Sequence, residues 1–68
     1  MSSKSELARL AWLGALDAHV EAARAHDSAA AVFARRGDLA RAEQAWAFAA
    51  SERAMHAAAL ARHPEWAP

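Results

Sequence analysis

Apolar residues recur with helical spacing along most of the chain, and short polar signals divide the pattern into segments. Ser3 and Glu6 have the spacing of a helix capping box, so a first helix is predicted to begin near residue 3. Gly37 follows two arginines suited to a helix C-terminus and precedes Asp38, a good N-cap. The pattern therefore predicts two helices joined by a tight turn at Gly37.

The far end of the second helix is set by proline, because the residue before Pro64 is pushed out of the helical region. The predicted fold class is all-α: an antiparallel helical hairpin with a long helix at about 3–36 and a second at about 38–63. A break at Asp27, which falls on the apolar stripe of the first helix, would instead give three helices. We favour the continuous helix.

A hairpin that turns at Gly37 also predicts which residues lie at the same height. Residues whose numbers add up to about 75 should be level, which pairs Leu16 with Ala59 and Trp12 with His63. The same alignment places Val20 against Met55, and it expects Phe48 and Ala59 to face the first helix as well.

A second apolar face is predicted on the same helix. One neighbouring helix cannot cover two faces, and a helix that is apolar on two sides is usually buried on two sides. The sequence therefore predicts a dimeric four-helix bundle or a bound partner. The residues of this second face are Leu39, Ala42, Trp46, Ala49, Ala57 and Leu60.

Alanine makes up about a third of the 68 residues, which favours helix and leaves little side-chain volume for a core. Gly14 lies inside an apolar helical pattern and is predicted to mark a close approach between helices. The length allows one domain, residues 1–68, with a short tail at 64–68. Such small domains are marginal alone, and this one has no cysteine for disulfides.

Charge and hydropathy restrict the expected partners. The eight basic and eight acidic residues balance, and nucleic acid binding is unlikely without a concentrated basic patch. No apolar run reaches the roughly 18–20 residues of a membrane span, and the polar start at residues 1–6 does not have the character of a signal peptide. We expect a cytoplasmic protein that binds neither membrane nor cofactor.

The stretch from about Ala23 to Ala50 resembles a tetratricopeptide-type helix–turn–helix. The family pattern places small and aromatic residues around a Gly-Asp turn, and it is interrupted here where His26 takes a position usually held by a large aromatic residue. The resemblance covers a single unit and implies a protein-binding role by analogy. The matching residues are Ala30, Phe33, Gly37, Asp38, Ala42, Trp46 and Ala49.

Histidines are the residues with the most chemical potential. The pair at residues 19 and 26 and the pair at residues 56 and 63 are each seven apart, which is about 10.5 Å along a helix and too far for one ion. The only imaginable metal site combines His19, Glu52 and His56, since Glu52 and His56 have the four-residue spacing of helical metal ligands. We do not favour it, because the Glu-x2-His motif of di-iron bundles is absent and a helix-surface pair explains the same spacing. A histidine and carboxylate bundle that binds metal or ligand is the alternative function.

No enzyme pattern is present in the sequence. It contains neither a Gly-rich phosphate loop nor a cysteine nucleophile, and a hairpin of this length is expected to lack the volume of an ordinary ligand pocket. Arg53 shares the phase of the second apolar face, either as an interface arginine or as a snorkelling side chain. Trp66 either folds back on the hairpin or docks on another chain.

The function predicted from the sequence is therefore a small helical module for protein–protein interaction or assembly. Its partner is itself, as a homodimer, or another protein. The residues predicted to bind the partner are Leu39, Ala42, Trp46, Ala49, Arg53, Leu60 and Trp66.

Overall fold

A computed structural model describes residues 3–67 and contains two long helices. Helix α1 spans Lys4–Arg35 and helix α2 spans Leu39–Arg62, and a single turn of 3-10 helix follows at Pro64–Trp66. The predicted all-α hairpin is confirmed, and α1 runs through Asp27 without a break. No helix within the described residues is both long enough and apolar enough to cross a membrane.

Both predicted helix starts carry side-chain caps. The Ser3 hydroxyl accepts a hydrogen bond from the Glu6 backbone N–H at 3.1 Å. The Asp38 carboxylate accepts one from the Arg41 backbone N–H, also at 3.1 Å. Each cap satisfies a backbone donor that has no partner inside the helix, which fixes where α1 and α2 begin.

The turn between the helices is a Schellman motif. Gly37 has a φ of +77°, a conformation that glycine adopts without steric cost. Its N–H donates to the Ala34 carbonyl at 3.0 Å, and the Asp38 N–H donates to the Phe33 carbonyl at 2.9 Å. The predicted stop and start signals thus act as one unit and reverse the chain within three residues.

The contact between α1 and α2 is a seam of residues that alternate in steps of three and four. This is the spacing of a coiled coil, and every residue of the seam is buried or half-buried. Most of the fully enclosed positions are alanines, whose short side chains let the helices approach closely. The seam consists of Trp12, Leu16, His19, Ala23, His26, Ala30 and Phe33 on α1, and Ala42, Ala45, Ala49, Glu52, His56 and Ala59 on α2, with His63 at the C-cap of α2.

The predicted faces of α2 are partly wrong. Phe48 and Met55 were expected to face α1, but they are 50% and 48% exposed. Ala42 and Ala49 were expected on the outer face, but they are fully buried in the seam. The reason is that closely spaced helices place small residues between them, and large residues one helical step away are moved to the sides.

The predicted alignment of the two helices is confirmed at the open end of the hairpin. Leu16 and Ala59 belong to one buried cluster with Trp12, and the ring centroids of Trp12 and His63 lie 6.0 Å apart. Leu60, which was expected to lack a partner within the hairpin, packs against this cluster. That expectation is therefore wrong for Leu60.

Trp66 folds back on the hairpin and is half-buried. Its ring stacks on His63 at 4.0 Å and meets the edge of Trp12 at 5.8 Å. Of the two predicted roles, the structure shows the intramolecular one, so Trp66 closes the open end of the hairpin. The predicted tail is described as far as Ala67, and Pro68 lies outside the described residues.

Gly14 does not mark a close approach between helices, which corrects the prediction from its apolar neighbours. It is exposed within α1, and a methyl group added at its Cα meets no atom within 4 Å. Gly14→Ala should therefore raise the free energy of unfolding by about 0.5–1 kcal/mol, because alanine loses less backbone entropy in a helix. Urea unfolding followed by circular dichroism, at a fixed protein concentration, measures this change.

Gly37→Ala is the matched comparison for that measurement. The same atom added at a φ of +77° forces an alanine into the left-handed region, so the free energy of unfolding should fall. If both variants change stability in the same direction, the assignment of the two glycines is wrong.

Trp12 forms a buried hydrogen bond that joins α1 to α2. Its indole Nε1–H donates to the Ala59 carbonyl at 2.9 Å, and the side chain is buried. Trp12→Phe should lower the free energy of unfolding by about 1–3 kcal/mol, because the carbonyl loses its donor and the core loses volume. Trp46→Phe, at a half-exposed position on α2, should change it by less than about 0.5 kcal/mol, and equal effects in the same unfolding assay would contradict this ranking.

Candidate interaction surfaces

All four histidines lie on the seam between the helices. His19 Nδ1 is 2.6 Å from a Glu52 carboxylate oxygen, and the His26 ring packs on Phe48 at a centroid distance of 5.4 Å. The seven residues that separate the two histidines of each pair are one full repeat of the seam. Alternating steps of three and four would have identified these positions as the seam.

The candidate metal ligands are only partly brought together. His19 and Glu52 are in direct contact, but residues 3–67 contain no group of three His, Cys, Asp or Glu side chains placed to hold an ion. His56 lies one turn further along α2. The contact between His19 and Glu52 is therefore a polar link across the seam that satisfies two half-buried groups.

Arg53 has a partner within the hairpin, which corrects the expectation that it would have none. Its guanidinium donates to the Asp27 carboxylate across the two helices, and both side chains are exposed. This hydrogen bond, together with the positive charge of Arg53, lowers the pKa of Asp27 below its ordinary value and raises the pKa of Arg53. Asp27 thus links the two helices instead of capping a separate helix.

A second exposed pair lies in the closing turn. His63 Nδ1 is 3.0 Å from a Glu65 carboxylate oxygen, and this hydrogen bond lowers the pKa of Glu65. Together with the stacking of His63 on Trp66, the pair fixes the last described turn against the end of α2.

Two open grooves lie on opposite sides of the seam. The larger has a volume of about 370 Å3, and its lining includes Phe33, Phe48 and Arg41. The smaller has a volume of about 170 Å3 and is lined in part by Val20 and Arg53. The larger groove exceeds the volume expected for so small a hairpin, so that expectation is wrong, although the groove is open to solvent.

One side of α2 retains part of the predicted stripe, and we call it the Trp46 surface. Its residues recur every seven positions along the helix: Leu39, Trp46, Arg53 and Leu60. Leu39 is 61% exposed and Trp46 is 46% exposed, whereas Arg53 is held by Asp27 and Leu60 packs on the core. The exposed apolar area on this side is therefore concentrated at Leu39 and Trp46.

The opposite side of the hairpin is a second exposed surface, which we call the Phe48 face. Phe48 and Met55 project from α2, and α1 contributes a row of alanines. Sequence reasoning missed this face because it assigned Phe48 and Met55 to the helix contact. The Phe48 face consists of Ala15, Ala18, Ala22, Ala25 and Ala29 on α1, and Gln44, Phe48, Ser51 and Met55 on α2.

Comparisons with known proteins do not indicate a function for this chain. No protein-family model, no curated protein and no solved structure matches this chain. The resemblance of the turn region to a tetratricopeptide unit therefore stays a prediction. The case for function rests on the geometry of the hairpin.

The Asp27–Arg53 pair predicts a change of stability in acid. Because folding lowers the pKa of Asp27, the stabilisation is present above the ordinary value of 3.8 and is lost as the pH falls through the lowered pKa. Asp27→Asn should therefore flatten the pH dependence of the free energy of unfolding below pH 3.8. Urea unfolding at a series of acid pH values in low salt measures the slope, since salt screens exposed charges.

Asp17→Asn is the control for this experiment, because it removes the same charge from an exposed position of the same helix. It should leave the acid slope steeper than Asp27→Asn does. Identical slopes in the two variants would show that the ion pair contributes nothing specific.

Proposed function

We propose that this protein is a small helical interaction module that docks another protein on its Trp46 surface. The observation that carries the proposal is the placement of Leu39 and Trp46, two large apolar side chains that are 61% and 46% exposed on one side of α2. They are seven residues apart, so both point to the same side of the helix and can enter the groove of a helical partner together.

The composition of the core explains why a partner would stabilise the hairpin. Six of its eight buried apolar residues are alanines, and only Trp12 and Leu16 are large. Burial contributes about 0.8 kcal/mol per CH2 group and about 1.5–3 kcal/mol for a side chain such as leucine or phenylalanine. The hairpin therefore leaves much of its potential hydrophobic stabilisation on its surface, where binding recovers it.

Trp46 is the residue on which binding should depend most. Tryptophan combines a large apolar area with few rotatable bonds and is enriched among the residues that dominate binding energies. Arg53 lies two helical turns further along α2, and its ion pair with Asp27 provides a charged rim beside the apolar residues. The resemblance to a tetratricopeptide unit supports the same class of function by analogy.

The test is capture of a partner from the native host, followed by direct binding to the purified partner. Trp46→Ala should weaken that binding by about 30-fold or more, which corresponds to the 2 kcal/mol of a typical hot spot. Circular dichroism should show unchanged helicity, because Trp46 lies outside the seam.

Leu10→Ala is the matched control for the same measurement. It removes an exposed apolar side chain from the open end of α1, at the opposite end of the hairpin from Leu39, and should leave the affinity within about threefold. A partner that binds both variants as tightly as the unmodified chain would move the function away from Trp46.

A further inference from the structure

We propose that the Phe48 face is a self-association surface on which a second copy of this chain packs to form a four-helix bundle. Its most prominent residues are Phe48 and Met55, both about half exposed on the same side of α2. Beside Phe48 lies the open groove of about 370 Å3, whose apolar lining includes Phe33, Ala29 and Ala45. In a dimer, Phe48 or Met55 of one copy can enter this groove on the other copy, and the alanines on α1 leave space for these side chains.

The charge distribution favours a second copy as the occupant. A two-fold interface brings the same patch of both copies together, so a charged patch would meet its own sign. The residues that form the Phe48 face carry no charge on either helix, and the charges in line with it lie beyond its two ends, at Arg41 and Arg62. The opposite side of the hairpin is different, because Asp27, Arg53 and Arg24 lie on or beside it. The Phe48 face is therefore the side of the hairpin that can pair with itself at the lower electrostatic cost.

The dimensions of the hairpin match what a stable dimer needs. Its Cα atoms extend over 53 Å in length and 21 Å in width. One whole side of the hairpin, which comprises the Phe48 face and the helix ends beyond it, therefore presents on the order of 1,000 Å2, compared with the ~800 Å2 that each partner buries in a standard interface. Alanines on α1 let the second hairpin approach closely, so the helices of both copies can pack at the spacing of a four-helix bundle.

The charged residues beyond the ends of the Phe48 face favour one orientation of the two copies. Arg36 and Arg41 lie at the turn end of the hairpin, and only Arg41 has an acidic neighbour, Asp38 at 3.6 Å. A parallel dimer would bring the arginines of both turns together. An antiparallel dimer instead places each turn beside the open end of the other copy, where Arg62 is accompanied by Glu65, so fewer like charges meet.

This arrangement leaves the Trp46 surface of each copy on the outside of the bundle. Because Trp46 and Phe48 are two residues apart on a helix, their side chains point in nearly opposite directions. A dimer through the Phe48 face would thus present two Trp46 surfaces, and would bind a partner with two matching sites more tightly than one hairpin does.

The decisive measurement is sedimentation equilibrium of the full chain from about 1 µM to 1 mM, with Phe48→Glu and Trp46→Glu compared under the same conditions. The unmodified chain should dimerise within this range. Phe48→Glu should raise the dissociation constant by about 30-fold or more, because it places a charge in the middle of an apolar interface. Trp46→Glu should leave it within about threefold.

An unmodified chain that stays monomeric throughout, or a Phe48→Glu variant that dimerises as the unmodified chain does, would overturn the proposal. Neither result bears on capture of another protein by the Trp46 surface, so the two proposals fail separately. If only Trp46→Glu abolished the dimer, self-association would lie on the Trp46 surface, and the proposal for the Phe48 face would be wrong.

Cross-linking tests whether the Phe48 face is the dimer interface, even if Phe48→Glu loses helicity. The chain has no cysteine, so a single introduced cysteine reacts only with its own copy in the partner. Ser51 lies on the Phe48 face between Phe48 and Met55, and its neighbour Ala50 lies on the opposite side. With a short bismaleimide, Ser51→Cys should give about tenfold more covalent dimer than Ala50→Cys, and an equal or reversed ratio would refute the interface.

Discussion

Close packing of α1 on α2 through alanine is the constraint on which the rest of this structure depends. The seam encloses Ala23, Ala30, Ala42 and Ala49 almost completely, and the large side chains buried in it among the described residues, Trp12 and Leu16, lie towards the open end. Because the helices lie close together, bulky residues one step away cannot turn inward. They occupy the two sides of the hairpin, and this geometry creates both exposed surfaces.

The turn and the open end hold this close packing in register. At one end, the backbone bonds around Gly37 fix the reversal of the chain. At the other, the Trp12 indole reaches across to the Ala59 carbonyl while Trp66 covers it from outside. Alanine contacts alone distinguish poorly between neighbouring registers, so these larger and polar contacts supply the specificity that the small side chains lack.

Sequence reasoning recovered the features that depend on local chemistry. The caps at Ser3 and Asp38, the turn at Gly37 and the end of α2 before Pro64 each follow from one or two residues, and each was predicted within about one position. The alignment of Leu16 with Ala59 followed from the turn alone, since two straight helices of known rise must stay level.

The prediction of which residues of α2 face α1 was partly wrong, because it favoured large residues for the helix contact. Phe48 and Met55 are larger than Ala42 and Ala49, so a search for a bulky core places them inward. A pattern search by spacing alone would have found the steps of three and four that run from Ala42 to His63. The ion pair between Asp27 and Arg53 was missed for a related reason, since it becomes visible only when both residues are placed beside the same seam.

The polar residues of the seam fix the register of the two helices more strictly than apolar residues at the same positions would. His19 and Glu52 meet in the middle of the hairpin, where larger apolar residues would stabilise the helix contact more and specify it less. The half-buried pair of His19 and Glu52 forms only when the two helices have one register, so a slipped alternative separates the histidine from the carboxylate. The large apolar side chains of α2 outside the seam, such as Trp46 and Phe48, are instead exposed. The seam therefore specifies the register of the two helices, while these large side chains lie outside it on the two sides of the hairpin.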